Sequence, residues 1–514
     1  MIKVRKPAPR AFLFGLLTCA IVLLIAAAPF SATMPVRVDA SVWQDTANGQ
    51  TGDFLVVLKS QANARALARG APDRDAEGRS VLEGLKQIAD ATQPAVKAQL
   101  DALGATYRSY WIVNVLAVKG KRSAVDSMAG RPDVAAIESN RPFHAVLDQP
   151  VRSSPQAPGT VEWNIDRVNA PALWAKGIIG QGRVYANADT GVQWDHPALQ
   201  SHYRGWNGTA ANHNYNWWDA IHTNLGGTPN FPCSLSSQVP CDDYGHGTHT
   251  MGIAVGDDGR GNLIGVAPGA KWIACRNMQG GVGQPSAYIE CLQFFMAPTD
   301  LNGNNPDPTK RPDAVGNSYG CPPSEGCTDV DVLQKAVDNL RADGVFVAVS
   351  AGNSGPGCAT IVDPPAIYDS AVTVGATDAT DAIAPLSSRG PVTVDGSNRR
   401  KPDLAAPGVG VRSSYPMNTY MVWSGTSMAS PHVAAAAVLL WSAFPKLVRN
   451  VDQTEIVLEA GAVHETTSAG CGGDSSGLVP NNVYGYGRLD ILAAYNIQGG
   501  FVHSLYLPFV ATSP

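Results

Sequence analysis

The chain has 514 residues, beyond the roughly 250–300 at which a single core stops growing, so at least two folded units are expected. Apolar residues make up 44% and charged residues 16%, a globular balance that excludes bulk disorder and fibrous repeats. A formal net charge of -5, without any long charged run, lacks the electrostatic attraction that nucleic acid or an anionic membrane surface requires, so neither is expected as a partner.

Lys3, Arg5, Lys6 and Arg10 precede an apolar stretch from Ala11 to Phe30, and Ala26-Ala27-Ala28 offers a small-residue cleavage pattern. Residues 1–32 therefore read as an export signal, and the product is expected to be secreted and extracellular. The stretch also reaches the roughly 18 to 20 residues that span a bilayer, so an uncleaved membrane anchor stays open as the alternative.

The next segment, residues 33–150, shows a strand over Phe54 to Leu58, a helix over Val81 to Leu103 and two strands between Thr106 and Val118. A short helix over Ser123 to Met128 and a strand over Val134 to Glu138 follow. That order predicts a ferredoxin-like α+β domain. Residues Gln149 to Gly159 are rich in Pro, Ser and Gln and read as an exposed linker.

From 151 to 498 short apolar runs alternate with helical patterns. Val184 to Ala188, Trp272 to Cys275, Ala314 to Asn317, Val345 to Ser350 and Ala371 to Val374 read as buried strands of a mainly parallel sheet in an α/β domain. A helix over Asp329 to Arg341 is expected to stop at Gly344. Residues 499–514 form a short apolar tail without a functional reading.

Setting aside Cys19 in the signal, eight cysteines remain: Cys233, Cys241, Cys275, Cys291, Cys321, Cys327, Cys358 and Cys471. An even number on an exported chain predicts disulfides, and the C-x2-C spacing of a zinc site is absent. Connectivity stays open, with Cys233 and Cys241 expected as a local pair because their short loop can bring its ends together.

Three segments carry chemistry. Asp189 closes the first strand of the α/β domain before Thr190-Gly191, which places a carboxylate at the ligand-binding edge of a parallel sheet. Alone, Asp-Thr-Gly is as easily a turn. In Asp243-Tyr244-Gly245-His246-Gly247-Thr248-His249 the glycines flanking His246 let backbone or a substrate approach closely, and no Glu stands between the histidines as in a zinc H-E-x-x-H. In Gly425-Thr426-Ser427-Met428-Ala429-Ser430-Pro431-His432 a helix is expected to begin near Ser427 and run to about Phe444, since Pro431 belongs in a first turn. A hydroxyl at a helix N-terminus has free N–H groups beside it to hold an oxyanion, although a bare serine there is also an ordinary N-cap.

Together these motifs resemble the Asp, His and Ser motifs of the subtilisin-like serine proteases, in that family's chain order, with Gly425 to Val433 matching the nucleophile motif. The order differs from that of an α/β-hydrolase esterase, which Gly425 to Ala429 superficially imitates. The resemblance covers roughly residues 155 to 495, is nearest to the bacillopeptidase F-like branch, and extends upstream to the family's propeptide. It implies a three-layer subtilisin-like fold and a serine endopeptidase working through an acyl-enzyme.

On that resemblance Asp189, His246 and Ser427 form the catalytic triad, and Asn353 with the Ser427 N–H forms the oxyanion hole. Ser318-Tyr319-Gly320 and Ser350-Ala351-Gly352 bind the substrate backbone and wall the first specificity pocket. Tyr319 replaces the family's frequent Leu. His249 and His432 are read as packed histidines, and Asp195-His196 and Asp242-Asp243 as loop residues. The resemblance further implies a precursor that cuts itself between Asn140 and Gly159, protein or peptide substrates, the propeptide as intramolecular inhibitor, and a monomer. No cofactor is expected for catalysis, and no metal ligand is assignable. Structural calcium is implied by the family, without ligand spacing here to place it. A pseudoprotease of the same fold is the competing reading, and it would need a broken triad or oxyanion hole.

Overall fold

The apolar run at Phe54–Leu58 is continuous rather than alternating, and the reason is that both faces of its sheet are covered. Phe54, Val56 and Leu58 pack under helices Arg74–Ala102 and Arg122–Ala129, against Val96, Leu100, Val125 and Met128. Leu55 and Val57 point the other way, into a core shared with helices Pro285–Met296 and Asp331–Ala342. The sheet runs in the order Arg37–Val38, Val134–Ser139, Thr51–Leu58, Val115–Lys121, Thr106–Tyr110, antiparallel except for the first pair. From Thr51 to Ser139 the main elements run β-α-β-β-α-β, while the edge strand Arg37–Val38 and the short helices Ala40–Asp45 and Ala64–Ala68 have no counterpart in the sequence reading. The long helix begins at Arg74, seven residues before the expected Val81, because the Asp73 side chain caps it by accepting from the Ala76 N–H at 2.8 Å.

This computed structural model describes residues 36–144, 151–152, 160–322 and 331–504. The expected export signal, most of the linker and the residues after Ser504 lie outside them. No described helix is long and apolar enough to cross a membrane.

The second sheet has seven parallel strands, in the order Trp217–Asp219, Lys271–Arg276, Val184–Asp189, Ala314–Asn317, Phe346–Ser350, Val372–Thr377, Leu404–Pro407. Five of the seven match the predicted runs. The two edge strands, Trp217–Asp219 and Leu404–Pro407, have no counterpart in the sequence reading. Side chains alternate between the layers. Tyr185, Trp272, Ala274 and Ala348 pack on helices His246–Val255 and Thr426–Ala443, while Ala186, Ile273, Val315 and Val347 pack on Pro285–Met296 and Asp331–Ala342. The result is a three-layer α/β domain.

Both helices of the first layer are buried all round: every residue of His246–Val255 and each from Thr426 to Trp441. The last described helix, Ile491–Ser504, runs through Gly499, where the sequence placed the start of a tail. Disulfides join Cys233 to Cys241, as expected, and also Cys275 to Cys291 and Cys358 to Cys471. Cys321 is disulfide-bonded as well, and Cys327 lies outside the described residues.

Candidate active site

Parallel strands deliver their C-terminal ends to one edge, and the predicted site residues gather there. Asp189 is the last residue of its strand and Ser350 the last of its own, while Ser318 directly follows Asn317. His246 opens its helix, and Ser427 is the second residue of the other. His246 reaches Asp189 because Gly247 lets the helix start press on the loop after the strand. A Cβ on Gly247 would fall 2.1 Å from the Gly191 carbonyl oxygen.

His246 Nδ1 donates to Asp189 Oδ1 at 2.7 Å, with both side chains 1% exposed. Asp189 also accepts from the Thr190 N–H at 2.7 Å and from Thr250 Oγ1 at 3.3 Å, so the carboxylate is held from three sides. This bond puts the imidazole proton on Nδ1 and makes Nε2 the basic nitrogen. Nε2 is buried without a hydrogen-bond partner among the described residues. Ser427 Oγ donates instead to the Ser318 carbonyl at 3.3 Å, so the Ser427 to His246 bond expected of a triad is not formed in this resting arrangement. Such contacts often tighten only when substrate arrives. Trp423, which no motif announced, fixes the imidazole plane by an edge contact at 5.2 Å and 89°.

The mount of Ser427 corrects one expectation. The helix starts at Thr426, which puts Pro431 beyond the first turn, where it has no N–H to give the Ser427 carbonyl four residues back. Ser318 Oγ donates to that carbonyl at 3.0 Å and lies 2.9 Å from Ser430 Oγ. The strand predicted to bind substrate thus repairs the helix that carries the serine.

Asn353 Oδ1 accepts from both the N–H and the hydroxyl of Thr426 at 2.9 Å, which fixes the amide beside the start of the Ser427 helix. Ser318, Tyr319, Gly320, Ser350, Ala351, Gly352, Asn353 and Ser427 all line one cavity of about 420 Å³. Tyr319 stacks on Tyr288 with centroids 4.4 Å apart, so the departure from Leu is filled by an aromatic pair.

The other histidines are packed. His432 Nδ1 donates to the Met428 carbonyl at 2.9 Å, which leaves Nε2 to accept from Asn164 Nδ2 at 2.9 Å; burial pushes its pKa down to about 4. His249 lies 3.1 Å from the Met421 carbonyl, and burial pushes it down to about 3. Asp242 and Asp243 lie in the loop before the His246 helix, as expected, and are buried anchors there. Asp242 accepts from the N–H groups of Tyr244, Gly245 and Thr248, which shapes the entry to the His246 helix. Asp243 pairs with Arg276 at 2.5 Å, both side chains fully buried, and burial raises it to about 6 against the pull of that arginine.

A match to the subtilase family model spans residues 180–487. The chain belongs to the subtilase family. It is 34% identical to bacillopeptidase F of Bacillus subtilis over 493 residues, covering 89% of this chain and 32% of that protein. It is 28% identical to subtilisin E of Bacillus subtilis, covering 76% and 87%, and 32% identical to an alkaline protease of Alkalihalobacillus alcalophilus, covering 64% and 69%. The chain therefore spans about a third of bacillopeptidase F and most of subtilisin E.

The family implies calcium. Among the described residues the one three-carboxylate cluster is Asp403, Glu455 and Glu459. Lys401 Nζ already donates to Asp403 at 2.6 Å, and Arg341 pairs with Glu455 at 2.6 Å. Burial and its acidic neighbours push Glu459 up to about 8. A cluster balanced by its own cations does not fit a hard divalent ion, and no calcium is assigned to it.

Proposed function

We propose that this subtilase is a secreted serine endopeptidase, made as a precursor that processes itself. The observation that carries the reading is the buried 2.7 Å bond of His246 to Asp189, at a sheet edge where Ser427 and Asn353 line one cavity. Ser427 Oγ attacks the scissile carbonyl and its proton passes to His246 Nε2. Asp189 stabilises the imidazolium, and the same proton then goes to the leaving amine. The tetrahedral oxyanion is met by the Ser427 N–H and by Asn353 Nδ2, whose own oxygen is already held by Thr426. Water resolves the acyl-enzyme.

The precursor reading rests on Phe143–His144, which pairs antiparallel with Val282–Gly283, and on Phe143, which lines the cavity shared with Ser427. A segment held in that way occupies the groove as an extended peptide would. The cut is expected between Asn140 and Gly159, at high effective concentration beside the serine. Many non-local strand pairings in the parallel sheet give a physical reason for a folding template.

The test is labelling of the purified chain with a fluorophosphonate probe alongside expression of the Ser427→Ala precursor. The wild type is expected to label and mature, and the variant to do neither, with activity reduced on the order of 10⁶-fold. A wild type that does not label makes the fold a binding module. A variant that matures at the wild-type rate and position without another protease makes the activator external.

A further inference from the structure

The cavity beside Ser427 contains one charged residue among the described residues that line it, Asp363, and it is not part of any motif that points to catalysis. Its surroundings are built to hold it. Cys321 donates its N–H to the Pro364 carbonyl at 2.6 Å, which ties the loop to the end of the Ser318-Tyr319-Gly320 segment, and a turn closes from the Ala366 N–H to the Asp363 carbonyl at 3.0 Å. Gly320 keeps the wall clear. A Cβ there would meet the Asp363 Cβ at 3.1 Å and its Oδ2 at 3.4 Å. The carboxylate is only partly covered, and among the described residues no hydrogen bond or ion pair engages it.

We propose that Asp363 is the specificity-determining residue of the first substrate pocket, and that the enzyme prefers arginine or lysine immediately before the scissile bond. This rests on the protease reading above. Structural carboxylates of this molecule find partners, as Asp243 does in Arg276 and Asp313 in Arg74 and Arg183. Among the described residues Asp363 is left without one, in the cavity it shares with Ser427. Burial alone raises its pKa, so the ionised form lacks the compensation that a bound cation would supply. The cavity falls within the ~300–1,000 Å³ typical of ligand pockets. Ser350, Ala351 and Gly352 offer a wall of small residues along which the methylenes of a long cationic side chain can lie.

The experiment compares kcat/KM of the mature enzyme on peptides that differ only in the residue before the cut, Arg, Lys, Phe, Leu or Ala. Asp363→Asn and Asp363→Gly are assayed beside the wild type, and benzamidine serves as a small cationic probe of the pocket. The wild type is expected to favour Arg and Lys over Phe by at least about 10-fold. Asp363→Asn is expected to cut that ratio by on the order of 10- to 100-fold and to weaken benzamidine inhibition. Benzamidine on the wild type keeps the test available if neither variant folds. A wild type that labels with the fluorophosphonate yet cleaves after Phe or Leu as well as after Arg overturns the specificity and leaves the protease intact. An unchanged Arg to Phe ratio in Asp363→Asn does the same. No labelling at all overturns both.

Discussion

Charges bind two regions of this molecule in different ways. Around His246, Arg276 bridges Asp243 and Asp219 with side chains 0–1% exposed, sealed from water. Where residues 36–144 meet the three-layer domain, Arg74 pairs with Asp313, Arg108 with Glu290 and Arg449 with Glu77, and the arginines remain 23%, 45% and 24% exposed. Water has no way to replace the first set and can replace the second. A catalytic constellation has to keep one geometry through every turnover, whereas a segment proposed to be released on maturation is suited to contacts that solvent can take over. The apolar core that both regions share adds area to the junction, so the polar pairs there serve register more than strength.

The largest effect expected from breaking the sealed set is structural. Asp243→Ala leaves Arg276 in the core with one of its two carboxylate partners, and a loss of about 3–5 kcal/mol is expected in the unfolding free energy of the Ser427→Ala chain, read by chemical denaturation. A loss below about 1 kcal/mol would mean that the buried pair is no more committed than the exposed ones. Asn353→Ala sharpens the contrast from the catalytic side. It should lower kcat by about 10²- to 10³-fold through the proposed oxyanion role, while the unfolding free energy falls by only about 1–2 kcal/mol, the cost of the hydrogen bonds that Thr426 gives to the Asn353 amide oxygen. Equal activity would remove it from the oxyanion hole.

The sealed region should also report acid. His432 is held neutral with its pKa near 4, against 6.5 for an ordinary histidine, so below pH 6.5 the unfolded chain takes up a proton that the native chain refuses. Its contribution is present above pH 6.5 and is lost as pH falls towards 4. Against His432→Gln in the Ser427→Ala background, the stability advantage of His432 is expected to narrow over that interval by on the order of 1–3 kcal/mol. A difference independent of pH would show that His432 is charged in the native state. The smallest effect belongs to the junction: Arg108→Ala should cost the same precursor less than about 1 kcal/mol, since the arginine is half in solvent. A cost as large as that of Asp243→Ala would erase the distinction between the two regions.

What was legible in the sequence was local. Asp189 at the end of an apolar run, His246 between glycines and Ser427 before an alanine-rich helix each carry their reason within a few residues, and five of seven strands follow from uninterrupted apolar runs. Cys233 and Cys241 are eight residues apart and could be paired from loop length, whereas Cys358 and Cys471, separated by 113, could not. Tertiary structure alone decided the rest. It set Trp423 edge-on to His246, gave the Ser427 carbonyl a donor in Ser318, buried the loop residues Asp242 and Asp243, and turned Asp363 into the cavity. Each of these joins residues from separate segments of the chain. Backbone propensity acts over a turn or a strand, while packing and charge pairing act across space, and only the folded chain determines which distant groups come within reach.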